Sequence, residues 1–101
     1  MDKIIEEFPK RLRKRLKTRI KKIILFGSYA RGNATESSDY DFLIIVDKRD
    51  KFIREEILDE SSILASDNDE LVTTLIWEDV EWNDKIRYPL GVNILREGKE
   101  L

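Results

Sequence analysis

Residues 25–44 read LFGSYARGNATESSDYDFLI, and the fold is predicted by working outward from this stretch. A short apolar run closes at Gly27, and a second apolar run opens at Tyr40. Runs of this length, rich in bulky aliphatic side chains and bounded by turn residues, are typical of buried strands. We therefore predict strands over 21–26 and 40–46. The second is apolar on both faces, as a central strand covered on each side would be.

The turn between these strands carries its own signals. Ser28 is expected to cap one helical turn, because serine accepts hydrogen bonds from the orphan amides at a helix start. Gly32 is expected to close that turn in a left-handed conformation. Residues 33–38 then form a polar loop that leads into the second strand.

Amphipathic helices are predicted on either side of the two strands. Apolar residues spaced by three and four place one stripe on a helix over 4–16. Pro9 lies inside this pattern, so either the regular helix starts there or the helix bends. The remaining elements, in chain order, are a turn at 47–50, a helix from 51 to about 65, a polar loop at 66–69, a strand over 71–77, a helix over 78–86, a short helix over 90–96 ending at Gly98, and a plain tail at 96–101.

Length and composition narrow the chemistry. At 101 residues the chain supports one compact core, so a single domain over 1–101 is expected. Histidine and cysteine are both absent, which excludes Ser-His-Asp triads, disulfides, thiolate metal sites and cysteine nucleophiles. Any catalysis must therefore use carboxylates, hydroxyls, lysine and arginine. No apolar run reaches the roughly 20 residues that cross a bilayer, and a cytoplasmic location is expected.

Charge is distributed unevenly along the chain. Residues 1–22 carry ten Lys or Arg against three acids, a net of +7, and residues 23–101 carry nine against eighteen, a net of −9. Such a basic segment either contacts nucleic acid or an acidic partner, or is the solvated face of the first helix, which we favour. Direct RNA binding is not expected, because no aromatic residues are interleaved with the basic side chains of residues 10–22.

The polar residues at the ends of the two predicted strands indicate a metal and nucleotide site. Side chains at positions i and i+2 of a strand share a face, so Asp39 and Asp41 direct two carboxylates, about 6–7 Å apart at their origins, toward one cation. The cation that fits is Mg²⁺, as one or two ions, which bind carboxylates together with substrate phosphates. Gly27 leaves room for a phosphate, Ser28 offers a hydroxyl and amides at a helix N-terminus, and Arg31 adds positive charge.

The sequence around these residues resembles a known family. Residues 25–32, followed by residues 38–44, are similar to the minimal nucleotidyltransferases of the DNA polymerase beta superfamily, whose hallmark is Gly-Ser, ten residues, then Asp-x-Asp. The spacing here matches without adjustment. The resemblance covers nearly the whole chain, including the basic first helix and the segment 89–98.

The resemblance implies a fold and an activity. The fold is α/β (α+β), a small mixed sheet with helices packed on it, of the polymerase beta-like nucleotidyltransferase type. The activity is Mg²⁺-dependent transfer of a nucleoside monophosphate, AMP from ATP, to a protein or other hydroxyl acceptor, with release of pyrophosphate. By position, Gly27 and Ser28 hold the triphosphate, while Asp39 and Asp41 bind metal. Many relatives are antitoxins paired with a HEPN-domain protein, and some adenylylate it, so a HEPN-domain partner is expected.

One departure from the family bears on catalysis. Active members place a third carboxylate on a later strand, where it binds the catalytic metal and accepts the attacking hydroxyl's proton, and here strand register places Thr73 at that position. Glu70 is retained as a substitute catalytic residue beside Asp39 and Asp41, and a poor one, because parity puts it on the opposite face from Thr73. The alternative function is a catalytically weak or inactive nucleotide-binding antitoxin module that acts by binding its partner.

Aromatic residues near the motif are interpreted as structural. Trp77 and Trp82 could stack a base, but large aromatics at the end of a strand and on a helix usually complete a core or an interface. Tyr40 points away from Asp39 and Asp41, so it is expected to pack or to hydrogen-bond on the far face.

Overall fold

The computed structural model describes residues 2–101, which form a sheet of four strands with helices on both faces. Its elements, in chain order, are α1 Lys3–Leu16, β1 Ile20–Phe26, α2 Ser28–Arg31, β2 Tyr40–Val46, α3 Lys51–Asn68, β3 Val72–Glu78, α4 Asp79–Lys85, α5 Pro89–Glu97 and β4 Lys99–Glu100. A 3₁₀ turn, Lys17–Arg19, joins α1 to β1. Within the described range, no helix is both long enough and apolar enough to cross a membrane.

The sheet is mixed, in the strand order β3-β2-β1-β4. β1 runs antiparallel to both of its neighbours, β2 and β4, whereas β2 and β3 are parallel and are joined through α3. A parallel pair needs a crossover of this kind, because a short turn can join only antiparallel strands. The predicted fold class, a small mixed sheet with helices packed on it, is confirmed. Every residue of the central strand β2 is buried except Asp41, which is partly exposed.

Strand alternation sends the side chains of β2 to two different cores. Even-numbered residues such as Phe42 point to the larger core, which α1 and α3 cover. Odd-numbered residues such as Leu43 point to the smaller core, to which α4 contributes Trp82 and α5 contributes Ile94. Asp41 has the parity of this second side. The α4 and α5 face of the sheet is therefore the face that carries the candidate site.

The first helix begins before Pro9 and not at it. Asp2 caps α1, because its Oδ1 accepts hydrogen bonds from the amide of Ile4 at 2.9 Å and the amide of Ile5 at 3.3 Å. Pro9 is buried inside the helix, where it lacks the N–H that would bond to the carbonyl of Ile5. The helix therefore contains proline in its interior, and of the two alternatives left open by the sequence, a helix start at Pro9 is wrong.

The polar loop predicted at 66–69 is also wrong, because α3 continues to Asn68. The Nδ2 of Asn68 donates to the carbonyl of Leu64 at 2.8 Å. Asp69 then ends the helix in a left-handed conformation, with a φ of 51°, at a position that glycine usually occupies. No glycine marks this helix end in the sequence, so the predicted helix stopped too early.

The plain tail predicted at 96–101 is wrong as well. α5 continues to Glu97, and Lys99–Glu100 pairs with β1 as the edge strand β4. The amide of Leu101 donates to the carbonyl of Ile23 at 2.8 Å, which extends the pairing by one more hydrogen bond. The last residues of the chain therefore complete the sheet.

Part of the basic first segment is neutralised within the molecule. Arg15 Nη1 lies 3.0 Å from Glu60 Oε1 and 3.1 Å from Glu56 Oε2, and Arg11 Nη1 lies 3.6 Å from Glu60 Oε2. Glu60 is buried, with only 5% of its surface exposed. These ion pairs join α1 to α3, so the basic helix is not simply a solvated face.

Replacement of Glu60 by glutamine is expected to lower the free energy of unfolding by about 1–3 kcal/mol, because it leaves two guanidinium groups without their buried counter-ion. Urea unfolding followed by circular dichroism measures this change. Glu55→Gln is the matched control, since Glu55 is exposed on α3 and lies 3.8 Å from Lys51, and its loss should change stability by less than about 0.5 kcal/mol. Equal losses in the two variants would contradict a special contribution from Glu60.

Candidate active site

The candidate site lies where the backbone pairing of β1 and β2 ends. Phe26 and Asp41 are the last paired residues, so Gly27 and Asp39 lie just beyond the ladder on adjacent chain segments. Gly27 has a φ of 75° and a ψ of −158°, a conformation that residues with a side chain rarely adopt. A β-carbon at Gly27 would also overlap Asp41 Oδ2. Glycine is therefore needed at position 27 both for its backbone conformation and for the close approach of the Asp41 carboxylate.

The turn after Gly27 is capped differently from the prediction. Gly27 rather than Ser28 is the N-cap of α2, and its carbonyl accepts hydrogen bonds from the amides of Ala30 and Arg31, both at 3.1 Å. Ser28 is the first residue of this one-turn helix, and no side chain caps it. Gly32 closes the turn with a φ of 82°, as predicted. The Ser28 hydroxyl is consequently not used in capping.

Asp41 lies in surroundings that disfavour its negative charge. Burial raises the pKa of its carboxyl, the neighbouring Asp39 carboxylate raises that pKa further, and Arg31 lowers it in part. The influence of Asp39 on Asp41 means that the two carboxylates are close enough to repel each other. A cation bound between the two carboxylates would relieve the repulsion, because Arg31 alone does not balance both negative charges.

A cleft of about 370 Å³ opens over Asp41. Its lining residues come from β1, α2, β2, α5 and the turn at Gly27, and are Phe26, Gly27, Ser28, Arg31, Asp41, Leu90, Asn93, Ile94 and Glu97. This volume lies within the usual range for small-molecule sites, about 300–1,000 Å³. Arg31 Nη1 lies 3.4 Å from Glu97 Oε2, which links the motif to α5 across the cleft. The structure thus brings four of the predicted site residues into one cleft.

Sequence reasoning missed the wall of the cleft that α5 provides. Leu90, Asn93 and Glu97 are spaced by three and four residues, so they share one face of this helix. The spacing is visible in the sequence. Only the packing of α5 against the sheet shows that this face stands opposite Gly27 and Ser28.

The third carboxylate expected from the resemblance is not supplied by β3. Thr73 pairs with Asp41 in the parallel ladder, so it lies beside Asp41 on the same face of the sheet, and it is exposed. Glu70 precedes β3, and its amide donates to the carbonyl of Ala65 at the end of α3. No three acidic side chains within residues 2–101 are grouped closely enough to hold a metal ion. Glu70 is therefore not brought into a ligand set with Asp39 and Asp41.

The aromatic residues occupy the structural positions expected of them. Trp82 is 6% exposed in the smaller core, and its ring centroid lies 6.1 Å from that of Trp77. Tyr40 is buried in the larger core, on the far face from the cleft. Burial and the hydrogen bond that its hydroxyl donates to Asp2 Oδ2 raise the pKa of Tyr40 well above its ordinary value.

The cleft and its motif coincide with a known domain. The family model described as "Nucleotidyltransferase domain" matches residues 5–97. The chain belongs to the nucleotidyltransferase domain family. The match includes both walls of the cleft in this nucleotidyltransferase, from β1 to the end of α5.

Relatives of this nucleotidyltransferase are known by sequence and by structure. "Putative protein adenylyltransferase MJ0604" of Methanocaldococcus jannaschii is 37% identical over 100 residues, which are 99% of this chain and 96% of that protein. A chain from a toxin–antitoxin crystal structure with AMP-PNP is 25% identical, with a TM-score of 0.63, over 94% of this chain and 70% of that one. A chain from a tri-AMPylated HEPN toxin in complex with MNT antitoxin, from Shewanella oneidensis, shares the fold at 21% identity, with a TM-score of 0.55, over 99% of this chain and 71% of that one.

Proposed function

We propose that this nucleotidyltransferase transfers AMP from ATP to a hydroxyl group of a partner protein in a Mg²⁺-dependent reaction. The observation that carries the proposal is the position of Asp41, whose partly buried carboxylate lines the cleft, lies against Gly27 and feels the negative charge of Asp39. Two neighbouring negative charges repel each other and destabilise the folded state, and a bound cation would offset this repulsion. Perturbed carboxylates of this kind are common at functional sites.

The donor set fits Mg²⁺. Carboxylate oxygens are ligands that this ion prefers, and it normally completes its coordination with water and substrate phosphates rather than with protein alone. The two aspartates would hold it, and when bound the ion supplies charge neutralisation and orientation for an in-line displacement at the α-phosphorus. Gly27 and Ser28 would hold the triphosphate at the same end of the cleft. Arg31 would give up its contact with Glu97 and bind the phosphates instead, which would place a positive charge beside them.

The acceptor proposed is a HEPN-domain protein, for which this chain would act as the antitoxin. A protein acceptor and an adenine nucleotide are supported by the relative named as a protein adenylyltransferase and by the toxin–antitoxin neighbour with AMP-PNP. The HEPN identity follows from the motif resemblance and is consistent with the fold shared with an MNT antitoxin bound to a HEPN toxin. We also propose a cytoplasmic location, and we do not propose that the chain binds nucleic acid directly.

The proposal predicts which phosphate of ATP is transferred. Incubation with a HEPN-domain partner, Mg²⁺ and ATP labelled at the α-phosphate should label the partner, whereas label at the γ-phosphate should leave as pyrophosphate. Autoradiography of a denaturing gel measures the transfer, mass spectrometry identifies the AMP adduct, and a reaction with EDTA is the control. Transfer of the γ-label to protein would indicate a kinase-type reaction and contradict the proposal.

A second function is favoured by the position of Thr73. General base catalysis contributes roughly 10²- to 10⁴-fold, and threonine beside Asp41 cannot accept the proton in place of a carboxylate. Loss of the general base would reduce the rate of turnover much more than the affinity for nucleotide. On this reading the chain is a nucleotide-binding antitoxin module that acts by binding its partner. The same assay separates the two functions, because the module binds its partner tightly without ATP and transfers no label.

A further inference from the structure

Each half of the motif carries one tyrosine on the side away from the cleft. Tyr29 follows Ser28, and Tyr40 lies between Asp39 and Asp41. Tyr40 is 5% exposed and belongs to the larger core, and Tyr29 is partly buried against the same core. Their rings are stacked, with centroids 3.9 Å apart and planes inclined by 13°. The two motif segments therefore touch behind the cleft through an aromatic pair.

The stack begins where the backbone pairing stops. β1 and β2 are paired as far as Phe26 and Asp41. Ser28 and Asp39 lie beyond that last pair, and the loop 33–38 between them is largely exposed. Backbone hydrogen bonds of the ladder thus do not fix the distance between the two motif segments at this point. The stacked rings continue the connection past the end of the ladder.

One carboxylate ties this stack to α1. The Tyr40 hydroxyl donates to Asp2 Oδ2, while Asp2 Oδ1 accepts the amides of Ile4 and Ile5. Asp2 therefore caps the helix and orients the Tyr40 ring at the same time. Tyr40 stands between the two aspartates of the motif, so a contact made by its ring acts on the backbone segment that carries both carboxylates.

We propose that Tyr29 and Tyr40 are positioning residues, whose stack sets the spacing between the triphosphate-binding and metal-binding halves of the motif. This inference rests on the proposed function of the cleft. Neither ring lines the cleft, so the two tyrosines act through the backbone of the motif residues and not by touching the nucleotide. Their contribution appears in metal-dependent binding and is separable from their contribution to folding.

The test combines calorimetric titration of ATP, with Mg²⁺ or Mn²⁺, and urea unfolding of the same variants. Tyr29→Leu removes the stack and is expected to weaken metal-dependent ATP binding by about three- to tenfold, which is the usual worth of an aromatic pair. Tyr29→Phe keeps the ring and should bind as the wild type does. Tyr40→Phe removes only the hydroxyl bonded to Asp2 and should weaken binding by about two- to fivefold, which keeps the test available if the leucine variant does not fold.

Phe8→Leu is the matched control for these variants. Phe8 packs on Phe42 in the same core, with ring centroids 4.7 Å apart, and belongs to α1 rather than to the motif. This variant should lose stability and keep its ATP affinity. Wild-type affinity in both Tyr29→Leu and Tyr40→Phe, or an equal loss of affinity in Phe8→Leu, would overturn the positioning role and leave the proposed function standing. Absence of metal-dependent ATP binding by the wild-type chain would instead overturn the proposed function, and the positioning role with it.

Discussion

Replacing both Asp39 and Asp41 by asparagine is expected to abolish the metal dependence of ATP binding and to lower AMP transfer by about 10³-fold or more. In the proposed function the two carboxylates would supply the negative charge that holds Mg²⁺ against the phosphates, and neutral amides cannot replace that charge. Calorimetry with and without Mg²⁺ measures the first effect, and transfer of the α-label measures the second. If the double variant binds metal and ATP as tightly as the wild type, the assigned metal site is wrong.

Removal of the charge on Asp41 should also change the pH dependence of stability. The pKa of Asp41 is raised in the folded chain by burial and by Asp39, so the folded state holds this proton more tightly than the unfolded chain does. The stability that results is present below the unfolded pKa and is lost as pH rises through the folded pKa. In the absence of metal, the Asp41→Asn variant should therefore have a higher midpoint urea concentration of unfolding than the wild type near pH ~7. The difference between the two midpoints should shrink toward pH ~3.

Asp50→Asn is the control for this prediction. Asp50 lies outside the cleft, and its pKa is shifted in the opposite direction to that of Asp41. The hydrogen bond from the amide of Ile53 and the contact with Arg19 lower the pKa of Asp50, despite a smaller opposing effect of burial. Its stabilising contribution is present above the unfolded pKa and is lost as pH falls through the folded pKa. This variant should lose stability at neutral pH and retain its response to Mg²⁺. A gain of stability in both variants would show that loss of any acid stabilises this acidic chain.

Thr73→Asp is expected to raise AMP transfer by about 10²-fold. Thr73 pairs with Asp41 on one face of the sheet, so a carboxylate at this position would lie beside the pair proposed to bind metal and could accept the proton of the attacking hydroxyl. The position is exposed, and a charge introduced there stays in contact with water. Initial rates of α-label transfer to the partner measure the change.

Thr74→Asp is the matched control for this substitution. Thr74 is the next residue of β3 and faces the opposite side of the sheet, where it lines a groove with Arg49 and Arg54. Transfer by this variant should equal that of the wild type. Fast transfer by the wild type that is lost in Glu70→Gln would identify Glu70 as the third carboxylate. No transfer by the wild type or by Thr73→Asp, with partner binding that ignores ATP, would favour the binding module.

The sequence predictions that succeeded depend on local geometry. β2 spans the predicted residues, because a long apolar run bounded by acids leaves little choice of boundary. The two-residue period of a strand also places Tyr40 on the far face and Thr73 on the face of Asp41, and the structure confirms both. Alternation of this kind is a property of each strand alone, so it can be predicted without knowledge of the packing.

Several features that the sequence did not predict depend on contacts between distant segments. β4 has no pattern of its own, and it forms because β1 offers an unpaired edge. The glycine at position 27 is required by the carboxylate of Asp41, which only the folded sheet brings against it. The α5 wall of the cleft was missed for the same reason. The sequence therefore predicted candidate site residues, but not the α5 surface that faces them.

The contact between Arg31 and Glu97 bears on how quickly a product can leave the cleft. The guanidinium has a carboxylate partner at 3.4 Å, so a phosphate bound as proposed would displace an anion and would not meet an unpaired charge. Because one anion would be exchanged for another, ATP and pyrophosphate would both be held more weakly. This effect changes the binding of the ground state and of the transition state equally, so it does not lower the barrier of the chemical step. Product release limits the turnover of many enzymes. Under the proposed function, Glu97 would thereby loosen the hold of Arg31 on the triphosphate and shorten the time before the next substrate can enter.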